Sequence, residues 1–284
     1  MSNDRLMSAV LESLERLCTS SHVPHPACSR QWVEMLQSGL ARILDVYKSS
    51  DEERKPDQAT ALKVIGLFIT KAPADVVKPP NLQYPMINLL KQFLQSEEDV
   101  VIQVKCLQTL QLIFRHDNKR VTFPYIHALA PRIVELLIKE TNNTNVAITN
   151  EKYHVVMNAL IAFETLVDVA DTNKKMDILG LYIPILINLL IEDTQALKDK
   201  SPKSLLHTYA LQKLIDIGPK YPQEFRQIIN QVPSFRTKLE SAIRSQSVAG
   251  SNGSTAGNQT QSSTRNDNPT IKLKTDFSNF TKSS

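Results

Sequence analysis

The chain has 284 residues, 42% apolar and 22% charged, which is enough to bury a core; a net charge of only +4, with both signs interspersed, argues against a nucleic-acid partner. Seven glycines are too few for the turns of an all-β fold or the anion cradle of a phosphate-loop enzyme. Three cysteines, Cys18, Cys28 and Cys106, make no disulfide framework, the N-terminus carries no basic-then-apolar leader, and no apolar run reaches the roughly 18 residues that cross a bilayer.

In chain order, the apolar periodicity is helical to about residue 246 and predicts about ten helices, without strand-like alternation. Leu11, Leu14 and Leu17 open the first segment. It runs into Cys18, His22, His25 and Cys28, a C-x3-H-x2-H-x2-C arrangement of four zinc-ligand types. The spacing fits no familiar zinc pattern, and Pro24 and Pro26 make the stretch a connecting loop, so a plain loop is the preferred interpretation over a metal site. Met35, Leu36, Leu40, Ile43 and Leu44 mark the second helix. Asp51, Glu52 and Glu53 before Pro56, and Glu97, Glu98 and Asp99 further on, fall at helix junctions, where acids favour the helix N-terminus more readily than they form a catalytic pair. Cys106 with His116 or His154 has the residue types of a thiol nucleophile and its base. It also occupies the small-residue slot of a repeat, which explains it without chemistry. Trp32, Tyr47, Phe68, Phe93 and Phe114 keep helical spacing among aliphatic neighbours and are expected in the core. The apolar stretch from Ile178 to Ile191 is interrupted by Gly180, Pro184 and Asn188, and further breakers fall at Pro79 and Pro80, Asn142 to Asn145, Pro202, Pro219 and Pro222.

Two series of helices alternate. One carries an apolar pair, Ile43-Leu44, Leu89-Leu90, Leu136-Leu137 and Leu189-Leu190, at spacings of 46, 47 and 53 residues. The other opens on a small residue and a leucine, Ala61-Leu62, Cys106-Leu107, Ala159-Leu160 and Ala210-Leu211, at spacings of 45, 53 and 51. A period of this length means helical hairpins stacked along a line, each too small to bury its own apolar face. The expected fold is therefore an all-α, armadillo-like superhelix, a solenoid over residues 1–246.

The repeats resemble HEAT repeats on particular residues. Pro184 precedes Leu189-Leu190 and Asp193, Pro131 precedes Leu136-Leu137, and Pro85 precedes Leu89-Leu90, as in a first HEAT helix. Asp99-Val100 and Val104-Lys105-Cys106 look like the opening of a second HEAT helix, and Ala210 to Pro222 like another with its exit turn. The first repeat lacks the proline, and the connection from Lys139 to Glu151 is long.

Near Gln246 the composition breaks. Residues 247–268 are Ser, Asn, Gly and Thr with almost no large apolar side chain, and are expected to be a disordered linker. Residues 269–284 form a short patterned tail. Ser234 to Gln246, this linker and Thr270 to Phe277 together resemble the C-terminal end of the HEAT-repeat-containing protein 5 family. Those are very large cytosolic proteins associated with the AP-1 clathrin adaptor and with traffic between endosomes and the trans-Golgi network. The resemblance implies a non-enzymatic scaffold without a cofactor, cytoplasmic and at most peripheral to trans-Golgi, endosomal or clathrin-coated membranes, whose partners are proteins such as AP-1 or its accessory proteins. It also implies a piece of a longer chain, since a repeat-like helix begins almost at residue 1 with no polar capping repeat. Asp276, Phe277 and Phe280 give D-F-x-x-F, similar to peptides that clathrin-adaptor appendages capture. The alternating Ile271, Leu273, Thr275 and Phe277 suit a segment docked on its own helices, and that is the preferred interpretation of the tail over an external partner. A generic HEAT scaffold of another complex, and a zinc- or thiol-dependent enzyme, are the alternative readings.

Overall fold

The structure is a computed structural model, which describes residues 2–20, 29–48, 57–96, 98–142, 148–191 and 201–251. Among them every regular element is a helix: α1 (Ser2–Thr19), α2 (Ser29–Lys48), α3 (Gln58–Lys71), α4 (Ala74–Val77), α5 (Pro80–Leu94), α6 (Val100–Arg115), α7 (Lys119–Asn142), α8 (Asn150–Val169), α9 (Thr172–Asn188), α10 (Pro202–Lys220), α11 (Pro222–Gln231) and α12 (Pro233–Ser251). The chain divides into two units, Met1–Gln246 and Ser247–Ser284. The first is built as two rows. Helices α2, α5, α7, α9 and α11 pack side by side in one row, and α1, α3, α6, α8 and α10 in the other; successive helices from α5 to α11 pack across the rows. Neighbours in a row are thus one repeat apart in sequence. This is an all-α solenoid.

Both motif series lie where the rows meet. All eight residues of the small–leucine series are buried, and in the paired series Leu44, Leu90, Leu137 and Leu190 are buried. The Cys106 Sγ approaches the Leu90 carbonyl oxygen at 3.4 Å, so the small slot of one helix faces the paired leucine of its partner. Each buried leucine contributes roughly 1.5–3 kcal/mol against exposure, and the rows are joined at every repeat by such contacts. Tyr125 and Met86 join α7 to α5 within the other row, with the Tyr125 Oη donating to Met86 Sδ at 3.9 Å.

Helix starts follow local chemistry. Asp57, Asp99, Thr149 and Ser201 accept from the backbone N–H three residues on, capping α3, α6, α8 and α10. Pro80, Pro202 and Pro222 open helices rather than only ending them, because the first turn needs no N–H there. Pro85, Pro131 and Pro184 lie inside α5, α7 and α9, as the repeat pattern predicts.

Several expectations are corrected. Among the described residues there are twelve helices against about ten expected, one of them the single turn α4. The small–leucine pairs sit inside their helices, not at the openings; Ala159 is ten residues into α8. On α1 the inward stripe is Cys18, which is buried, with Leu11 and Leu14 partly buried, and Leu17 is exposed. The helical run continues past Gln246 to Ser251, because extending a formed helix costs far less than starting one and no proline stops α12 there. By mean hydropathy and length α7 could cross a membrane. Its apolar run is nonetheless broken by the ion-paired Arg132 and Glu135, and Tyr125, Leu129, Ile133 and Leu137 are buried among its helical neighbours, as in a core helix of a solenoid.

Candidate interaction surface

A helix flanked by two neighbours in its row and backed by the other row keeps one free side. In the row of α3, α6, α8 and α10 these sides form a continuous helix-lined face. On α6 it carries Val101, Lys105, Gln108, Leu112 and Arg115, with Val101 and Leu112 each 61% exposed. The face is tied across repeats: the Gln111 Nε2 donates to the Asn158 carbonyl at 3.2 Å, while Tyr209 and Lys213 of α10 donate to the two Glu164 carboxylate oxygens of α8 at 3.1 and 2.6 Å. Behind Tyr209 the Tyr182 hydroxyl is buried, and among the described residues no group meets it in hydrogen-bonding geometry. Burial, with Tyr209 next to it, holds that phenol well above its ordinary range.

The α8–α9 turn is a second polar feature. Asp171 receives Lys119 of α7 at 2.6 Å, and Asp168 receives Lys220 of α10 at 3.1 Å. The Lys119 hydrogen bond holds the Asp171 carboxyl below the usual range. Lys175 donates to the Val167 carbonyl at 2.6 Å, satisfying the end of α8, and lies over the Tyr221 ring with Lys220.

A third is a cleft of about 250 Å³ lined by the end of α5, the start of α6, the second half of α7 and the start of α8. Its floor is Leu94, Val100, Leu136 and Val155, and its rim includes the ion pairs Arg132–Glu135 and Lys152–Glu140. Gln103 closes the bottom, donating to the Leu94 carbonyl at 2.7 Å from a buried position. The cleft carries both signs of charge on its rim, which suits a side-chain anchor.

Of the proposed zinc set, only Cys18 lies among the described residues; His22, His25 and Cys28 fall outside them. Cys18 is buried against the core, and burial, with Glu15 adding to it, pushes its thiol up to about 11, the opposite of a ready metal thiolate. Among the described residues no group of three His, Cys, Asp or Glu could hold a metal ion. The thiol and histidines of the enzyme alternative are not brought together. Cys106 is fully buried with its thiol pushed far up by burial, His116 caps the same helix ten residues on (roughly 15 Å along the axis), and His154 is exposed on α8. Asp99 is a helix cap, accepting from the Ile102 N–H at 3.0 Å, while Glu97 and Asp51 to Glu53 lie outside the described residues. Phe68, Phe93 and Phe114 are buried, and Trp32 and Tyr47 pack partly against the core. Asp276, Phe277 and Phe280 also lie outside the described residues. The exposed α6 face escaped the sequence reading because its apolar residues satisfy the core pattern too. The usable signal was the absence of any acidic residue in α3 and α6.

Residues 84–256 match the protein family described as LAA1-like, C-terminal TPR repeats, a span that runs from within α5 to beyond α12. No solved structure matches the chain.

Proposed function

The chain belongs to the family of LAA1-like C-terminal TPR repeats, and from that membership we propose that it is a non-enzymatic protein-binding scaffold in clathrin-adaptor-linked vesicle traffic. The observation that carries this is the pair of helix rows, which offer a broad helix-lined face. The scaffold works by holding partners through exposed aliphatic anchors, with charge setting which partners fit. The adaptor assignment draws on the likeness to the HEAT-repeat-containing protein 5 family, so its warrant is kinship rather than site chemistry. On this reading the chain is cytoplasmic and reaches trans-Golgi, endosomal and clathrin-coated membranes through its partners, and Asp276, Phe277 and Phe280 present a motif to adaptor appendages.

The test is capture of purified AP-1 by the immobilised full chain. We expect retention, weakened by Phe277→Ser with Phe280→Ser. Retention that ignores both substitutions removes the tail from the reading. Purified AP-1 and its accessory proteins passing through unbound removes the trafficking role and leaves a scaffold of another complex. Cys106→Ser is expected to leave binding unchanged.

A further inference from the structure

We propose that the outward face of α3 and α6 docks an acidic amphipathic peptide, one that sets leucine-type side chains and carboxylates along the same edge. This rests on the reading of the chain as a protein-binding scaffold and adds the class of partner. Within its row α3 lies between α1 and α6, and α6 lies between α3 and α8; α4 and α5 pack against them from the other side. One stripe of each helix is left free. On α3 it runs through Lys63 and Leu67, and on α6 through Val101, Lys105, Gln108, Leu112 and Arg115. The two helices approach closely, since a Cβ on Gly66 would lie 2.8 Å from Thr109 Cγ2. The stripes therefore form one surface.

Its charge has one sign. Helices α3 and α6 hold Lys63, Lys71, Lys105 and Arg115 and no acidic residue. Lys71 is paired with Glu15 of α1 at 3.5 Å. Among the described residues Lys63, Lys105 and Arg115 have no carboxylate partner. On α8, by contrast, Lys152 is paired with Glu140, and Glu164 and Asp168 are paired with Lys213 and Lys220. Along α6 the aliphatic Val101 and Leu112 alternate with the cationic Lys105 and Arg115. A partner that supplies carboxylates between its apolar side chains satisfies both sets at once, and a basic one is repelled. An anionic bilayer fits less well, because such surfaces are bound by about four to eight clustered cations, not by three spread over two helices.

The experiment uses the full chain and a fluorescein-labelled helical peptide built from Glu and Leu, with its Lys-and-Leu counterpart and phosphatidylserine vesicles in parallel. Anisotropy is expected to show binding of the Glu peptide that weakens with salt, and about tenfold weaker binding of the Lys peptide. Lys105→Glu with Arg115→Glu should lower affinity about tenfold or more, Lys63→Glu and Leu112→Ser less, and Lys174→Glu on α9 not at all. Lys63→Glu stands as the independent check where the double variant loses its melting transition. Equal binding of the two peptides, or wild-type affinity in these variants, overturns the proposal, as does binding to vesicles but not to the Glu peptide. If the peptide fails while AP-1 is still captured, this face is wrong and the scaffold stands; loss of both sinks both.

Discussion

Two helical glycines make opposite demands on their surroundings. Gly39 of α2 has nothing within 4 Å of where a Cβ would go, so Gly39→Ala should raise stability by about 0.5–1 kcal/mol through backbone entropy alone. Gly66 has Thr109 Cγ2 at 2.8 Å from that position. Gly66→Ala should therefore cost about 1–2 kcal/mol net in urea unfolding, since the overlap outweighs the helix gain. Adding Thr109→Ser removes the offending methyl and keeps the hydroxyl bond to the Lys105 carbonyl, so the double variant should recover most of the loss. His207 sets a pH dependence. It is buried, its Nδ1 accepts from the Ile191 N–H at 2.9 Å, and burial lowers its pKa. The unfolded chain, with a histidine pKa of about 6.5, then binds the proton more readily. Stability is thus fully present above that value and falls as pH drops from about 6.5 towards the lower folded pKa. Unfolding curves for wild type and His207→Asn, which keeps an acceptor but does not titrate, should diverge in that window; parallel curves would mean the ring is not the sensor. At this scale the sequence was legible wherever a residue served the core pattern, as for Cys106 and Phe114. It was illegible for Gln103, His207 and Gly66, whose roles depend on a neighbour nine or more residues away.

At the scale of elements, the α8–α9 turn gathers side chains from both adjoining repeats. Its exposed link, Lys119 to Asp171, should matter little: Lys119→Ala is expected to leave the melting temperature nearly unchanged, and any effect should vanish at high salt. Lys175 is different, because it satisfies the last carbonyls of α8 at 2.6 Å from a half-buried position. Lys175→Met should cost about 1 kcal/mol, and a cost near zero would show that water replaces the ammonium there. Helix existence was readable from spacing, and so were the internal Pro85, Pro131 and Pro184, whereas Pro219, expected as a breaker, lies inside the last turn of α10 and Pro124 inside α7. Ends were less so: the composition change at Gln246 does not stop α12, because a polar stretch without proline can extend a helix already begun. The membrane-length window in α7 shows the converse error, since hydropathy averages over Arg132 and Glu135 while packing does not.

At the scale of the whole stack, each described helix from α1 to α11 packs chiefly against its neighbours in the two rows, so protection should grade along it. Amide exchange is expected to be slowest in α6 and α8, which pack against helices on both sides and behind, and faster in α1 and α11. Leu107→Ala, removing a fully buried side chain from the middle of the stack, should cost about 2–5 kcal/mol. The alternation of the two series made this architecture readable in the sequence, because stacking covers such faces repeat by repeat. The basic, aliphatic face was hidden by the same logic, since a leucine at helical spacing looks alike whether covered or bare. The two buried thiols have a use that follows from their positions. Cys18 lies in α1 and Cys106 in α6, and burial keeps both protonated and sealed from reagents. An alkylating dye can reach each only while its stretch of the stack is open. The pair are thus built-in stopwatches, one for the opening of α1 and one for the opening of α6.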